Sequence, residues 1–203
     1  FKNLPSVYKI PLIAITTKCY FTNTSPIGAY RGAGRPEVNY YLERLIDHAA
    51  RQMGLDAVEL RRQNLVPSQA MPYTSSSGQI YDSGDFQGVL EKSLAAADWH
   101  GFEARHMFSV ASGKLRGRGL SCYLEATAPS GKEMGNITFE GDGTVSLTTG
   151  TLDYGQGHAS PFAQVLADQL GVPFERIRLI QGDSDKLIVG GGTGGSRSIM
   201  ASG

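Results

Sequence analysis

Glycine is the residue type that most constrains this chain. It supplies 26 of the 203 residues, well above the average share of about 7%, and it is concentrated in the last third. Three segments, 28–36, 154–158 and 190–198, carry more glycine than packing requires, and each leads towards a predicted helix start. Glycine lets a ligand approach the main chain with no Cβ in the way, and the N–H groups of a helix start favour an anion. The pattern predicts backbone loops that bind an anionic ligand.

Side chains within these segments indicate the same chemistry. Gln156 adds an amide, Arg197 adds a positive charge, and Ser196 and Ser198 add hydroxyl donors. We expect a pyrophosphate or a larger anionic cofactor, with anions at the helix starts near Gly157 and Ser196. For the second segment alone, a plain tight turn is an open alternative. No segment is a Walker loop or a complete dinucleotide fingerprint, so a nucleotide-binding module of another lineage is disfavoured.

The first half of the chain predicts three helices. Pro36 is suited to begin a helix that ends at Gly54, Asp56 caps a second helix that ends near Leu65, and Asp85 caps a third. The apolar residues expected to face the core are Val38, Tyr41, Leu42, Leu45, Ala49 and Met53 in the first helix, and Phe86, Val89, Leu90 and Leu94 in the third.

The second half predicts a β-hairpin followed by a helix. Apolar residues alternate on both sides of Asp142-Gly143, which is a strong hairpin signal. The next helix follows Gly157 and ends at Gly171. Its inward residues are Phe162, Val165, Leu166 and Leu170. The other predicted strands, from their β-branched and aromatic residues, are one or two within 9–21, one at 119–124 and one at 177–180.

These elements predict an α+β fold with two subdomains. The first subdomain is helix-rich and ends at about residue 97, and the second is a β-hairpin sheet with a packed helix. Residues 98–116 mix charge, glycine and aromatics without a clear period, so we interpret them as a linker. The second subdomain then occupies 117–203.

The charge balance excludes some classes of partner. The chain has 19 basic and 19 acidic residues without a long run of either sign, which disfavours a nucleic-acid or membrane surface. No apolar run approaches the roughly 20 residues of a membrane span. Two cysteines, Cys19 and Cys122, do not form a disulfide framework, so a reducing cytoplasmic setting is expected.

Isolated polar residues give weaker signals. His158 is placed to touch a ligand, although a loop histidine is more often solvated, and the same alternatives hold for Glu125 and Glu133 as pocket carboxylates. The Arg61-Arg62 pair is predicted on a helix surface. The remaining histidines and the two cysteines show no metal-ligand spacing, so no protein-ligated metal is predicted.

Three motifs together resemble one known family. They are Ala29-Tyr30-Arg31-Gly32-Ala33-Gly34-Arg35-Pro36-Glu37, Gly155-Gln156-Gly157 and Thr193-Gly194-Gly195-Ser196-Arg197-Ser198, in the family's order and spacing. With them, nearly all of the chain resembles the large, molybdenum-binding subunit of molybdenum hydroxylases, the xanthine dehydrogenase and aldehyde oxidase family. The chain is similar above all to the carbon monoxide dehydrogenase-like large subunits.

The resemblance implies roles for individual residues. It makes Arg31 the catalytic residue beside the reacting centre. It assigns cofactor binding to Gly155, Gln156 and Gly157 of the second motif, and to Gly194, Gly195, Ser196 and Ser198 of the third. The implied cofactor is molybdopterin in its cytosine dinucleotide form, whose dithiolene holds the molybdenum, so the protein contributes no metal ligand.

Two positions depart from particular members of the family. Carbon monoxide dehydrogenases that use copper have a cysteine where this chain has Gly32, so copper-dependent chemistry is not expected. Purine-oxidising members have a stacking phenylalanine where this chain has Ala33, so a purine substrate is not expected either.

The resemblance also predicts that the chain is an internal piece of the subunit. Residues 1–97 would end a first cofactor-binding subdomain, and 117–203 would begin a second. The family's catalytic glutamate would then fall after residue 203, and a molybdenum-contacting glutamine would fall before residue 1.

The parent protein is expected to be an oxidoreductase. It would hydroxylate a carbon centre, or oxidise an aldehyde or a carbon monoxide-like small molecule, with oxygen from water, and pass electrons to iron–sulfur and FAD-containing partners. The isolated chain is expected to be inactive. The alternative is a structural or interaction fragment that binds no cofactor by itself.

Overall fold

The computed structural model describes residues 2–127 and 132–203. These residues form two compact units that divide between Glu125 and Ala126. Helices predominate in the first unit, and the second contains a three-stranded sheet with a helix packed on it. The predicted α+β class is therefore confirmed. No helix of the described residues is both long and apolar enough to cross a membrane.

The first unit contains four α-helices and one small β-ladder. The helices are α1 (Arg35–Met53), α2 (Ala57–Asn64), α3 (Phe86–Ala96) and α4 (Phe102–Ala111), the 3-10 turns are Ser68–Ala70 and Trp99–Gly101, and the antiparallel strands are β1 (Tyr73–Thr74) and β2 (Ile80–Tyr81).

Capping residues set the ends of the first three helices as predicted. Gly54 ends α1 in the left-handed conformation, with φ of 67°. The Asp56 carboxylate accepts the N–H groups of Val58 and Glu59 at the start of α2. Asp85 caps α3 in the same way. The helical hairpin and the third helix are confirmed.

The predicted inward face of α1 is correct only in part, since Leu42 packs against the core of the first unit and other predicted residues do not. Tyr41, Leu45 and Met53 are each more than 60% exposed, whereas Glu43 and Ala50 are buried. The apolar pattern did not indicate the buried face correctly, because the charged residue Glu43 lies on it. In α3, Leu90 and Leu94 are buried as predicted, but Val89 is exposed.

Arg61 was predicted on a helix surface, and this prediction is wrong. Its side chain is fully buried, where Nε donates to Glu43 Oε2 at 2.9 Å and Nη2 pairs with Asp47 Oδ1 at 2.9 Å. The Tyr8 hydroxyl donates to the other Glu43 oxygen at 2.6 Å, and burial raises the pKa of Tyr8 well above its usual value. Arg61 also donates to main-chain carbonyls, including that of Leu120 at 3.2 Å. Through these contacts the guanidinium and Glu43 connect α1, α2, the segment at Tyr8 and the segment at Leu120. A buried charge requires such a full set of partners.

Two predicted strands are absent from the described structure. Residues 9–21 form no strand, and apolar side chains such as Leu12 and Phe21 are exposed. β-Propensity expresses packing against neighbouring strands, which these residues do not have here. Residues 119–124 also form no strand. Their apolar side chains pack on the core of the first unit, which includes Val7, Tyr8, Val58, Leu65, Leu90 and Leu94.

The segment interpreted as a linker, 98–116, contains α4. Later in the chain, the Arg118 guanidinium lies over the Trp99 ring at 4.3 Å and the Phe102 ring at 4.5 Å. These contacts hold the segment against the first unit. α4 buries little apolar surface, so its sequence shows no clear helical period. The two compact units divide after Glu125, so residues 98–116 lie within the first unit.

The second unit confirms the predicted hairpin, helix and final strand. Its elements are β3 (Gly135–Phe139), β4 (Val145–Thr149), α5 (Ala159–Leu170), a 3-10 turn at Phe174–Arg176, β5 (Ile177–Ile180) and a short helix α6 (Ser198–Ser202). The strand order is β3-β4-β5, with the first pair antiparallel and the second parallel. Phe162 and Leu166 of α5 pack on Leu147 of β4. Asp142 closes the hairpin by accepting the N–H of Thr144 at 2.9 Å.

We predict that Arg61→Ala destabilises the protein by about 3–5 kcal/mol, because Glu43 and Asp47 would lose the charge that compensates them. Urea unfolding measures this change. Arg62→Ala is the matched control, since Arg62 pairs with Glu59 and Glu91 at the surface, where ion pairs contribute little. Equal, small effects of the two substitutions would contradict the role of Arg61.

Candidate functional site

The second and third glycine-rich segments lie at one edge of the sheet in the second unit. Because β4 and β5 are parallel, their carboxyl ends share that edge. The second segment follows β4 directly, and the third comes after β5 in the chain. Crevices outside the carboxyl ends of parallel strands are common ligand sites. The topology therefore places both predicted segments where a ligand site is expected.

A pair of reciprocal hydrogen bonds joins the third segment to Leu152, in the stretch of chain between β4 and the second segment. The Thr193 hydroxyl donates to the Leu152 carbonyl at 2.6 Å, and the Leu152 N–H donates to the Thr193 oxygen at 2.9 Å. The Gly192 N–H also donates to the Gly150 carbonyl at 3.2 Å. The Ser198 hydroxyl lies 3.5 Å from Thr193 Oγ1, which ties the start of α6 to the same point. The third motif is thus held against the chain that leads from β4 into the second motif.

The chain at the end of β4 also crosses the start of the third segment at a point that admits no side chain. A Cβ added to Gly150 would lie 2.4 Å from Gly190 Cα, and one added to Gly190 would lie 2.6 Å from Gly150 Cα. Contacts of this length between carbon atoms do not occur, so glycine is required at both positions. At Gly150 and Gly190, the absence of a side chain allows the two backbones to come into direct contact.

Asp153 organises the loop of the second motif. Its carboxylate accepts the N–H groups of Gly155 at 2.7 Å, Gly157 at 3.2 Å and His158 at 2.8 Å. Hydrogen bonds from Gly155 and His158 hold the pKa of Asp153 below its usual value. The expectation of an open anion site near Gly157 is corrected by this geometry, since a carboxylate of the chain itself takes these donors. The signal for this arrangement in the sequence is an aspartate two residues before the first glycine of the motif.

His158 is buried, so the interpretation of a solvated loop histidine is wrong. Its ring Nδ1 lies 3.2 Å from Gln181 Nε2, which also donates to the Thr151 hydroxyl at 2.9 Å. The ring meets Phe162 edge-on, with 5.7 Å between centroids. His158 therefore links the loop to the carboxyl end of β5 through Gln181.

Glu133 is also buried rather than solvated, with its side chain 2% exposed. Its Oε1 accepts the Gly191 N–H at 3.1 Å and lies 3.8 Å from Arg197 Nη2. The positive charge that Arg197 adds to the third segment therefore faces a carboxylate. An open anion site at Ser196 is not supported, because α6 is only five residues long.

The first motif lies in the first unit and has an unusual backbone. Gly32, Ala33 and Gly34 are consecutive left-handed residues with φ of 84°, 45° and 89°. A Cβ on Gly32 would lie 2.5 Å from Cδ of Pro36, so this conformation requires glycine there. The Arg31 side chain is exposed, and within the described residues it forms no ion pair with a carboxylate. Glu125 pairs with Arg35 at 3.0 Å.

The backbone of the joined motifs leaves room for a ligand. A Cβ added to Gly155, Gly157 or Gly194 would meet no atom within 4 Å, so open space faces these residues. The Gln156 side-chain oxygen accepts the Tyr154 N–H, which leaves the side-chain NH₂ group to donate outward. These features fit an anionic cofactor held by amide and hydroxyl donors. Within the described residues, no group of three or more His, Cys, Asp or Glu side chains is placed to bind a metal ion.

Comparison with known proteins identifies the family. The sequence profile of the molybdopterin cofactor-binding domain matches residues 92–203, and a second profile of the same description matches residues 1–65. The chain belongs to the molybdopterin cofactor-binding domain family. Its resemblance to large subunits of molybdenum hydroxylases is thereby confirmed.

Individual relatives agree with this assignment. The nicotine 6-hydroxylase large subunit of Paenarthrobacter nicotinovorans is 34% identical over 97% of this chain and 25% of its own length. The carbon monoxide dehydrogenase large chain of Hydrogenophaga pseudoflava is 34% identical over 97% of this chain and 26% of its own length. The crystal structure of quinoline 2-oxidoreductase from Pseudomonas putida 86 matches with a TM-score of 0.80 and 33% identity, over 96% of this chain and 26% of that one. The chain thus spans about a quarter of the length of these relatives.

We predict that Gly150→Ala destabilises the protein by about 1–3 kcal/mol, because the added methyl group forces the crossing segments apart. The control is Gly141→Ala, since a Cβ there meets no atom within 4 Å. Thermal or urea unfolding of both variants provides the measurement. A destabilisation by Gly150→Ala no larger than that of the control would contradict the close crossing.

The lowered pKa of Asp153 makes the order of its loop depend on pH. The carboxylate stabilises the loop above the usual aspartate pKa of about 4, and this effect is lost as pH falls through the lower value of the folded state. We predict that hydrogen exchange at Gly155, Gly157 and His158 loses protection across that acidic window. Asp153→Asn should show weak protection at every pH, and Asp168→Asn should behave like the wild type. Protection in Asp153→Asn equal to that of the wild type would exclude this role.

Proposed function

We propose that this chain is part of the molybdenum-cofactor-binding subunit of an oxidoreductase that hydroxylates a carbon centre with oxygen from water. The observation that carries the proposal is the hydrogen bonding of Thr193, in the third motif, to Leu152, just before the second motif, at the carboxyl edge of the sheet. The bound cofactor supplies the two-electron chemistry, and the protein supplies placement and electrostatics. Related oxidation of an aldehyde or of a carbon monoxide-like molecule belongs to the same proposal.

The residues proposed to hold the cofactor belong to the joined motifs. They are Gly155, Gln156 and Gly157 of the second motif and Gly194, Gly195, Ser196 and Ser198 of the third. Because Asp153 already takes the N–H groups of Gly155 and Gly157, the glycines contribute room for close approach, and the Gln156 amide and the Ser196 hydroxyl are the proposed donors. The proposed form of the cofactor is the cytosine dinucleotide of molybdopterin.

The first motif limits the proposed substrate. Gly32 has a left-handed backbone and no room for a Cβ beside Pro36, so this loop does not accept the cysteine that would hold copper. Ala33 carries no ring to stack on a purine. We therefore propose neither copper-dependent oxidation of carbon monoxide nor oxidation of a purine. The proposed substrate is another small molecule.

The assembly and setting are proposed from the relatives and the composition. Large-subunit relatives such as that of nicotine 6-hydroxylase support iron–sulfur and FAD-containing partner subunits as electron acceptors. Two free cysteines support a reducing, cytoplasmic setting. The 203-residue chain by itself is proposed to be inactive, because it spans about a quarter of its relatives. A structural fragment without cofactor remains the competing function for the isolated chain.

Metal analysis tests the proposed function. The full-length subunit that contains this chain should hold about one molybdenum per subunit together with a pterin that releases a cytosine nucleotide on hydrolysis. The isolated 203-residue chain should hold neither and should show no calorimetric binding of the cofactor. A full-length subunit without molybdenum would overturn the proposed function, and cofactor binding by the isolated chain would overturn its proposed inactivity.

We predict that Arg31→Lys in the full-length subunit lowers turnover by about 10²–10³ at unchanged molybdenum content. The positive charge of the guanidinium, or the N–H group beside it, would favour the negative charge that develops on oxygen during hydroxylation. Arg44→Lys is the control, because Arg44 is exposed on α1 of the same unit. Loss of metal in proportion to activity would make Arg31 structural, and full turnover at full loading would remove it from the site.

A further inference from the structure

Glu133 is a buried charged residue for which the proposed function gives no role. It precedes β3, yet its side chain extends to the third glycine-rich segment rather than to solvent. One oxygen, Oε1, accepts the Gly191 N–H at 3.1 Å. The other oxygen, Oε2, is buried and forms no hydrogen bond within the described residues. Burial of a carboxylate costs free energy unless its partners compensate, so a function for these contacts is expected.

The surroundings of Glu133 show which part of the chain it holds. Oε1 is 3.8 Å from Arg197 Nη2, whose side chain is 23% exposed. Cβ atoms built on Gly150 and Gly191 would lie 2.9 Å and 2.8 Å from the Glu133 carboxylate, so it is in close contact with both glycines. The carboxylate therefore lies beside the crossing of the second and third segments and contacts both ends of residues 191–197.

We propose that Glu133 is a positioning residue that fixes residues 191–197 against the sheet through Gly191 and Arg197. This inference rests on the proposed function, in which Gly194, Gly195 and Ser196 of that segment hold the cofactor. Between its two attachment points the segment has left-handed backbone at Ser196, a conformation that costs a non-glycine residue free energy and requires external support. Glu133 provides that support and neutralises the charge that Arg197 would otherwise present to the ligand.

The test uses the full-length subunit and two independent measurements. Glu133→Gln keeps the size of the side chain and removes its charge. Hydrogen exchange at residues 191–197 should rise roughly ten- to a hundredfold, the range for loss of a hydrogen bond to a charged group. Exchange in β4 should stay unchanged, and molybdenum occupancy should fall. Glu140→Gln, at the exposed hairpin turn, should change neither measurement.

A double substitution separates charge pairing from simple packing. Glu133→Gln and Arg197→Gln each remove one charge of the pair and leave the other, whereas the double variant removes both. The increase in exchange in the double variant should therefore be smaller, by about fivefold or more, than the product of the two single effects. A role in packing alone predicts independent effects that multiply.

The possible failures are distinguishable. Wild-type subunit without molybdenum overturns the proposed function, while exchange at 191–197 still tests the contacts of Glu133. Wild-type loading with Glu133→Gln indistinguishable from Glu140→Gln overturns the positioning role. Equal increases in exchange across β4 and residues 191–197 also overturn it, because Glu133 would then stabilise the whole unit.

Discussion

The close crossing of the main chain at Gly150 and Gly190 is the constraint on which the candidate site depends. No side chain fits between the two residues, and the crossing allows Thr193 to form its two hydrogen bonds with Leu152. Both segments leave the same end of a parallel strand pair, so the crossing occurs where a ligand site is expected. Glu133, before β3, and Asp153, after β4, then hold the two loops, one through Gly191 and the other through Gly155.

Much of the architecture could be predicted from local sequence. Asp56, Asp85 and Gly54 cap helices where expected, and Asp142-Gly143 forms the hairpin turn. Such signals are local, because a capping residue acts on main-chain groups within a few residues. The three motifs were likewise identified from the sequence, and two of them are joined in the structure.

The errors arose where long-range contacts override local pattern. Arg61 lies next to Arg62, which forms its ion pairs at the surface. Nothing within α2 indicates that Arg61 instead pairs with Glu43 and Asp47 in the core. Residues 119–124 have the composition of a strand, but they form no strand and their apolar side chains pack against the core of the first unit. In the site, the sequence indicated free N–H groups near Gly157, whereas a carboxylate of the same loop takes them. A buried charge and its partners are a property of the fold, so their positions cannot be read from spacing alone.

The central claim is that the joined second and third motifs form the surface that holds the cofactor. Hydrogen exchange of the full-length subunit, compared with and without its molybdenum cofactor, tests that claim most directly. The account predicts that the cofactor increases protection at residues 155–158 and 193–198. The hairpin turn at Gly143, another glycine-containing loop of the same unit, should show no change. Protection that appears elsewhere in the subunit, with both motifs unaffected, would contradict the account.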